Sequence, residues 1–577
     1  MFTALQRLRL AFARPALPPA TSPSFAAAAR HPALLVAGVS LWLAVFGNLP
    51  LWLKLAQLPE ISGLRGWGFG LAFAMLVAAG NALVFGLLAW GWLLKPVLVV
   101  ALLAGASGAY FMASYGIVID TPMLVNVLQT DPSEATDLLN WRMAVALLLL
   151  AGPPLWWLLT RPVRSLGPWR HLGHSLALCS AALLLAVGSV LLVFQDFASV
   201  MRNHTQLRYL INPLNSLYAV LDLAAQPLRM DTRTLAPVGR DAQRGPSYSA
   251  SASASTAPPL VLLVVGETAR AANFALNGYT RPTTPRLSAR TDLLNAPDAW
   301  ACGTSTAASL PCMFSHLGRE DYQKRQSNAE NLLDVLQHAG LGVLWIDNQS
   351  GCKGLCDRVG EINTRTLNDA QWCKDGECQD PIMLRDLASH LQTLPAEQRA
   401  HATVVVLHQM GSHGPAYARR SLPTQKQFQP ECQTNALQQC SREQVLNAYD
   451  NSILATDAFL DQAIEWLKTH AADRPTALLY VSDHGESLGE NNLYLHGLPY
   501  AIAPDVQKHV PWIAWLSPAL QQRAGLDAAC LQRDWAQRRL SHDHYFHSVL
   551  GLLDIRTSAY QRTLDAFAPC QSATLPR

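Results

Sequence analysis

The chain has 577 residues, enough for several domains, and half of them are hydrophobic. Only 15% are charged, against about 25% in an ordinary soluble protein. The formal net charge of +3 is too small to argue for a nucleic-acid partner, and no basic stripe with interleaved aromatics is present. The charge deficit belongs to residues 1–200, which are apolar and Trp-rich; the remainder has the composition of a soluble protein.

Residues 1–32 carry Arg7, Arg9, Arg14 and Arg30, no acidic residue, and no small-residue cleavage site after a short apolar core. They read as a basic cytoplasmic tail rather than a removable signal. Five apolar segments follow, roughly Ala33–Leu55, Trp67–Leu93, Pro96–Ile119, Met143–Leu159 and Leu176–Phe194. Most reach the roughly 20 residues of a spanning helix; the fourth is short and contains Pro153 and Pro154. Lys95 and the group Arg161, Arg164 and Arg170 occupy one set of connecting loops. The alternate set holds Glu60 with Arg65, then Asp120, Asp131, Glu134 and Asp137. Basic loops stay inside, so five helices within 33–199 place the N-terminus in the cytoplasm and everything after residue 195 outside.

Between the spans, Asp120–Trp141 is long enough for a helix on the outer membrane face, with Leu124, Val127 and Leu128 at helical spacing. Val200–Asp222 mixes Arg, aromatic and aliphatic residues, as a segment lying in the interface does. From Ala225 to Pro259 the chain turns polar, and Ser247–Thr256 is Ser/Ala low complexity. Residues 200–258 therefore read as an interfacial segment and flexible linker. Residues 259–577 form a domain large enough for its own core.

Cys179 lies alone in an apolar run, whereas the other ten cysteines all follow residue 300, mostly in close pairs. An even number on the outer side reads as disulfides. Structural zinc at Cys352-x3-Cys356 and Cys373-x4-Cys378 is the competing reading.

Within this domain four short apolar runs read as strands buried on both faces: Leu260–Gly266, Gly342–Ile346, Thr403–Leu407 and Ala477–Val481. Helical patterns at Ala269–Leu276, Asn328–Ala339, Ile382–Leu391 and Val445–Lys468 intervene, the alternation of a doubly wound α/β sheet. Ligands bind at the carboxyl ends of such strands. Each run ends on ionisable or metal-binding residues: Glu267, Lys353, His408 or His413, and Asp483 with His484. The loop Cys302–Cys312 brackets hydroxyls. Ser305 or Thr306 can cap a helix there, or, beside a bound zinc, act as a nucleophile.

Together these motifs resemble the phosphoethanolamine transferases of the Gram-negative inner membrane, above all the lipid A-modifying enzymes that include the mobile colistin-resistance proteins. The resemblance runs over essentially the whole chain. Its motifs are GETAR at Gly266–Arg270, CGTSTAASLPCMF at Cys302–Phe314, CKG at Cys352–Gly354, HQMGSHGP at His408–Pro415, SDHGESLGENNLYLHG at Ser482–Gly497 and INPLNSLYA at Ile211–Ala219. It implies an α-helical five-span membrane domain followed by an α/β sulfatase/alkaline-phosphatase-like periplasmic catalytic domain. It also implies one tightly bound zinc on Glu267, Thr306, Asp483 and His484, with a second allowed alongside substrate. Thr306 is the implied nucleophile, and Lys353, His413 and His496 the implied substrate-site residues. An Asn that binds substrate in relatives falls at Asn348 or Gln349. Disulfides implied are Cys302–Cys312, Cys352–Cys356, Cys373–Cys378 and Cys432–Cys440, with Cys530–Cys570 remaining. The implied partners are phosphatidylethanolamine as donor and lipid A as acceptor, with the protein a monomer among inner-membrane lipids, and the implied consequence is polymyxin resistance. Other acceptors in the wider family are a lipopolysaccharide core sugar and a periplasmic glucan. A sulfatase is disfavoured because Cys302-Gly-Thr-Ser-Thr lacks the Cys-x-Pro-x-Arg motif. A phosphoglycerol transferase is disfavoured by the cysteine set and HQMGSHGP. A transporter or receptor is disfavoured because the spans carry almost no central charge.

Overall fold

The computed structural model describes residues 29–572 apart from 60, 89, 131, 249–256, 368, 375 and 376. Arg7, Arg9, Arg14, Glu60, Asp131 and most of the Ser/Ala run lie outside the described residues. The chain divides into two units.

The first unit comprises residues 29–109, 144–204 and 211–214 of the described chain and is helical. Four helical segments are long and apolar enough to cross a membrane: α3 (Gly63–Leu88), Gly91–Tyr115 with α4 (Leu94–Tyr115) as its main part, α6 (Trp141–Thr160) and α7 (Pro168–Leu192). The expected first span is two helices, α1 (Pro32–Val45) and α2 (Leu49–Leu55), bent by 45° and counting as a fifth span only if taken together. Pro50 explains the break, because it has no N–H for an i→i−4 bond and belongs in a helix's first turn. Asn48 fills the gap. Its Nδ2 donates to the carbonyls of Leu43 (2.8 Å) and Asn212 (2.6 Å), and its Oδ1 accepts the Asn212 N–H (2.8 Å). Asn212 Nδ2 in turn donates to the carbonyls of Gly47 and Gly105. Helix α7 starts at Pro168, earlier than the apolar run suggests, so Arg170 stands in its first turn instead of in the loop.

The second unit comprises residues 110–143, 205–210 and 215–572. It includes α5 (Thr121–Gln129), capped by Asp120, whose Oδ1 accepts the Met123 N–H at 3.0 Å. The helix α8 (Leu214–Arg229) follows. The expected linker is largely structured before residue 249. Asp231–Ala236 pairs with Ser327–Ala329, and Gln243–Arg244 with Ile555–Arg556.

The core of this unit is a sheet of eight strands: β1 (Leu260–Gly266), β2 (Leu293–Trp300), β3 (Gly342–Asp347), β4 (Gly360–Asn363), β5 (Thr403–His408), β6 (Thr476–Ser482), β7 (His509–Leu516) and β8 (Leu540–Ser541). Their spatial order is β8-β2-β7-β6-β1-β5-β3-β4. Only β7 runs against the rest. The four strands expected from sequence lie side by side and parallel, in the order β6-β1-β5-β3. Every residue of each is buried, and each large aliphatic side chain contributes about 1.5–3 kcal/mol. Matching register puts Val481, Val265, His408 and Asp347 in one row, so all four strands end on one side. Of the expected helices, Val445–Lys468 extends to α10 (Arg442–His470), with Ser441 and Gln444 forming a capping box. Ala269–Leu276 forms two short 3-10 turns instead, because Asn277-Gly278 ends the segment with Gly278 at φ 92°.

Candidate active site

Strand β1 delivers Glu267 and β6 delivers Asp483 and His484, all three buried from solvent. One ligand atom from each lies within 4.8 Å of the other two. The nucleophile loop arrives from β2 and turns into the helix α9 (Thr306–Met313), with Cys302 and Cys312 joined across it. Thr306 opens α9, where its Oγ1 donates to Glu267 Oε2 at 3.1 Å and lies 3.4 Å from His484 Nε2.

His484 Nδ1 lies 2.9 Å from the Gly485 carbonyl, which assigns the ring proton there and leaves the Nε2 lone pair facing Thr306 and the carboxylates. Nε2 is 3.5 Å from Glu267 Oε1 and 3.4 Å from Asp483 Oδ2. The fit of a cation is tested by Asp483 Oδ2 itself, a buried oxygen with no hydrogen-bond partner. Burial and the neighbouring Asp483 push the Glu267 carboxyl up to about 8, and burial raises Asp483 to about 6. Burial, reinforced by His496, lowers His484 to about 4 and holds it neutral. Two carboxyl groups that a cation would ionise, a neutral imidazole and a hydroxyl form an oxygen-rich four-donor set suited to a divalent metal such as zinc. Gly411 admits this packing: at φ 51°, a Cβ there would sit 2.7 Å from the Glu267 carbonyl.

A second ring of groups surrounds the cluster. The His496 ring is 4.2 Å from that of His484, and the His413 ring is 6.1 Å from that of His496. Burial lowers His496 to about 4 and His413 well below its ordinary value. Lys353 sits at φ 51° inside the ring closed by Cys352–Cys356. Its Nζ donates to Ser350 Oγ (3.0 Å) and, more loosely, to the Gln129 carbonyl at the end of α5 (3.4 Å). The remaining disulfides join Cys373 with Cys378, Cys432 with Cys440 and Cys530 with Cys570.

Two comparisons decide the family. The model for "Phosphoethanolamine transferase EptA/EptB" matches residues 76–228, and the model "Sulfatase" matches residues 259–555. The phosphoethanolamine transferase EptA of Salmonella typhimurium is 39% identical, covering 92% of this chain and 96% of that protein. The chain belongs to the EptA/EptB phosphoethanolamine transferase family. The phosphatidylethanolamine transferase Mcr-1 of Escherichia coli is 38% identical over 91% of this chain and 95% of its own. A solved structure, the integral membrane lipooligosaccharide phosphoethanolamine transferase A (EptA) of Neisseria meningitidis, superposes with a TM-score of 0.87 at 36% identity, covering 93% of this chain and 98% of that one.

In this transferase, the two residues left open by the sequence differ in what they have free. Asn348 is consumed by the fold: its Nδ2 donates to the Cys378 carbonyl and Asp380 Oδ1, and its Oδ1 accepts from Thr364, each at 2.9 Å. Gln349 commits its Oε1 to Ser350. His408 is turned away into the sheet, with Nδ1 2.9 Å from Asp347 Oδ2. Sequence reasoning missed Glu486 and Asp380. Glu486 accepts from the Tyr417 hydroxyl (2.9 Å), lies 3.4 Å from His496 Nδ1, and is raised to about 8 by burial. Its place three residues after Asp483 was the available signal. Asp380 is half-buried and accepts from the backbone N–H groups of Met410 and Gly411 as well as from Asn348, locking the His413 loop to the end of β3. Nothing local in the sequence marks it.

Proposed function

We propose that this protein is a zinc-dependent inner-membrane enzyme that moves phosphoethanolamine from phosphatidylethanolamine to a phosphate of lipid A, through a phosphothreonine at Thr306, and so confers polymyxin resistance. The observation that carries this reading is Thr306 Oγ1 held between Glu267 and His484 in a buried cluster with an orphaned carboxylate oxygen.

Glu267, Asp483, His484 and Thr306 Oγ1 would hold the zinc, which would lower the pKa of the hydroxyl and offset charge developing on phosphorus. Thr306 gives its proton towards Glu267, to which it already donates, and Oγ1 attacks the donor phosphorus. The bond from phosphorus to the diacylglycerol oxygen breaks, and that oxygen takes up the proton that Glu267 received, with the neutral His413 or His496 relaying it. Lys353 binds the phosphate and, with Gln349, orients it. In the second half-reaction a lipid A phosphate oxygen attacks the phosphothreonine, its proton passes back along the same groups, and the bond from phosphorus to Thr306 Oγ1 breaks as Oγ1 takes that proton. The reading includes residues 1–32 in the cytoplasm, a membrane domain over 33–199 and a periplasmic catalytic domain over 259–577. The family resemblance and the five disulfides of residues 302–570 support it.

The test is mass spectrometry of lipid A from Gram-negative cells expressing the wild type or Thr306→Ala. A phosphoethanolamine adduct with the wild type alone is the expected result. Unmodified lipid A in both, with each protein in the membrane, overturns the acceptor assignment and moves the search to core sugars and glucans.

A further inference from the structure

Beside the nucleophile loop the second unit holds a cavity of about 530 Å³, within the range of pockets that take small ligands. Its lining includes Cys302–Thr304 and Leu498–Tyr500. These two stretches are fastened together: the Gly497 N–H donates to the Thr304 carbonyl (2.7 Å), and Thr304 Oγ1 donates to the Leu498 carbonyl (2.6 Å). Both continue directly into site residues, Thr306 on one side and His496 on the other. Thr304 and Thr306 are two residues apart, so their Cα atoms are separated by at most about 7 Å.

The charges in this cavity are not balanced in availability. Arg319 and Arg325 both line it. Arg319 uses Nε on the Cys302 carbonyl (3.1 Å) and lays its guanidinium 3.6 Å above the Tyr500 ring. Arg325 uses one nitrogen on the Tyr322 carbonyl and stacks 3.8 Å over the Tyr322 ring. Among the described residues neither forms an ion pair, and both Nη atoms of Arg319 lack a hydrogen-bond partner. The two carboxylates of the lining are already engaged. Asp222 pairs with Arg229 at 2.6 Å and accepts from Thr121 Oγ1, and Asp120 caps α5. Two guanidinium groups, each laid over an aromatic ring with N–H groups left over, select a phosphate-like anion over an ammonium group.

We propose that this cavity is a second anion subsite, in which Arg319 and Arg325 hold the phosphate of the acceptor that does not react. The proposal rests on the lipid A reading above and sharpens it: the preferred acceptor is a glycolipid carrying two phosphates. One phosphate meets Thr306 while the other occupies the arginine fork, and the Tyr322 and Tyr500 rings keep the two guanidinium groups in place.

Purified full-length enzyme, supplied with phosphatidylethanolamine, is tested with bisphosphorylated and monophosphorylated lipid A. A half-exposed charge-assisted pair supports a preference of about tenfold in kcat/KM for the bisphosphorylated acceptor. In Arg319→Ala/Arg325→Ala that ratio falls to about one, with the loss in KM for the bisphosphorylated acceptor. A ratio that survives in the double variant overturns the subsite and leaves the lipid A reading intact. A rise in KM for phosphatidylethanolamine with the ratio retained also overturns it, assigning the cavity to the donor. No transfer to either lipid A by the wild type overturns the acceptor reading and the subsite together. If the double-alanine protein fails to fold, Arg319→Gln/Arg325→Gln is read by the same ratio.

Discussion

Two buried polar clusters, one in each unit, are built on opposite rules. In the helical unit, Asn48 and Asn212 face one another as donor to acceptor and also satisfy the carbonyls exposed at the break before α2. In the α/β unit, Glu267 and Asp483 face one another as acceptor to acceptor, with a neutral imidazole and a hydroxyl beside them. The first cluster is neutral and uses every amide N–H that it brings, leaving only the Asn212 Oδ1 acceptor without a partner among the described residues. The second is short of positive charge, so its folding cost is recovered only when a cation or protons arrive. Polar groups that hold shape are spent on each other, whereas those that do chemistry are kept apart from compensating partners.

The hardest test of this contrast is Asp483→Asn, which preserves shape and removes one charge. Transfer to lipid A is expected to fall by a thousandfold or more, on the order of the loss of a catalytic unit. Near-normal turnover would mean that the cluster does not need its charge.

Chelation tests the same contrast through stability. With the metal removed, Glu267 and Asp483 carry folded-state pKa values of about 8 and about 6, above the ordinary carboxylate range. A carboxyl raised in this way favours the fold while protonated, and that contribution is lost as pH rises through its folded value. Chelated protein should therefore lose thermal stability from about pH 4 to about pH 8 relative to metal-loaded protein. A gap between the two melting temperatures that stays flat with pH contradicts this.

A smaller effect is expected in the other cluster. Asn48→Leu strands the buried N–H of Asn212 and should cost about 1–3 kcal/mol. Activity per folded molecule is expected to remain, as measured by thermal melts and turnover on the same preparation; a selective loss of turnover would make the clasp part of the chemistry. The smallest change is Arg286→Ala, whose side chain is 53% exposed and 3.4 Å from Asp461. It should stay within about 0.5 kcal/mol in the same melts, as surface pairs do.

The difference between the clusters also explains what the sequence made visible. Strands β1, β3, β5 and β6 were legible because they are unbroken apolar runs, and the site residues follow them within a few positions. Strand β7 was hidden by Pro511 and β2 by Pro297, residues that usually argue against a strand. Both fall where the β2–β7 register shifts, between Val510 and Trp512, at the kind of irregularity that tolerates proline. The break before α2 was concealed because hydropathy does not register the hydrogen bond that Pro50 removes. Asp380 and the arginine-lined cavity were invisible for another reason. Each is assembled from stretches far apart in the chain, so no local pattern carries them.

Strand β7 has one more consequence. Because it alone reverses direction, residues 483–508 leave the sheet and re-enter it at the same end, over the site. That connection supplies Glu486, His496 and the Leu498–Tyr500 wall of the cavity. A parallel crossover would have had to traverse the sheet, and any change in its length would have disturbed the core. A hairpin-type return needs no passage across the sheet, so the one connection carries Asp483, His484, Glu486 and His496 over the strand ends. A single length of chain between two neighbouring strands thus brings metal-binding and substrate-facing side chains to the strand ends together.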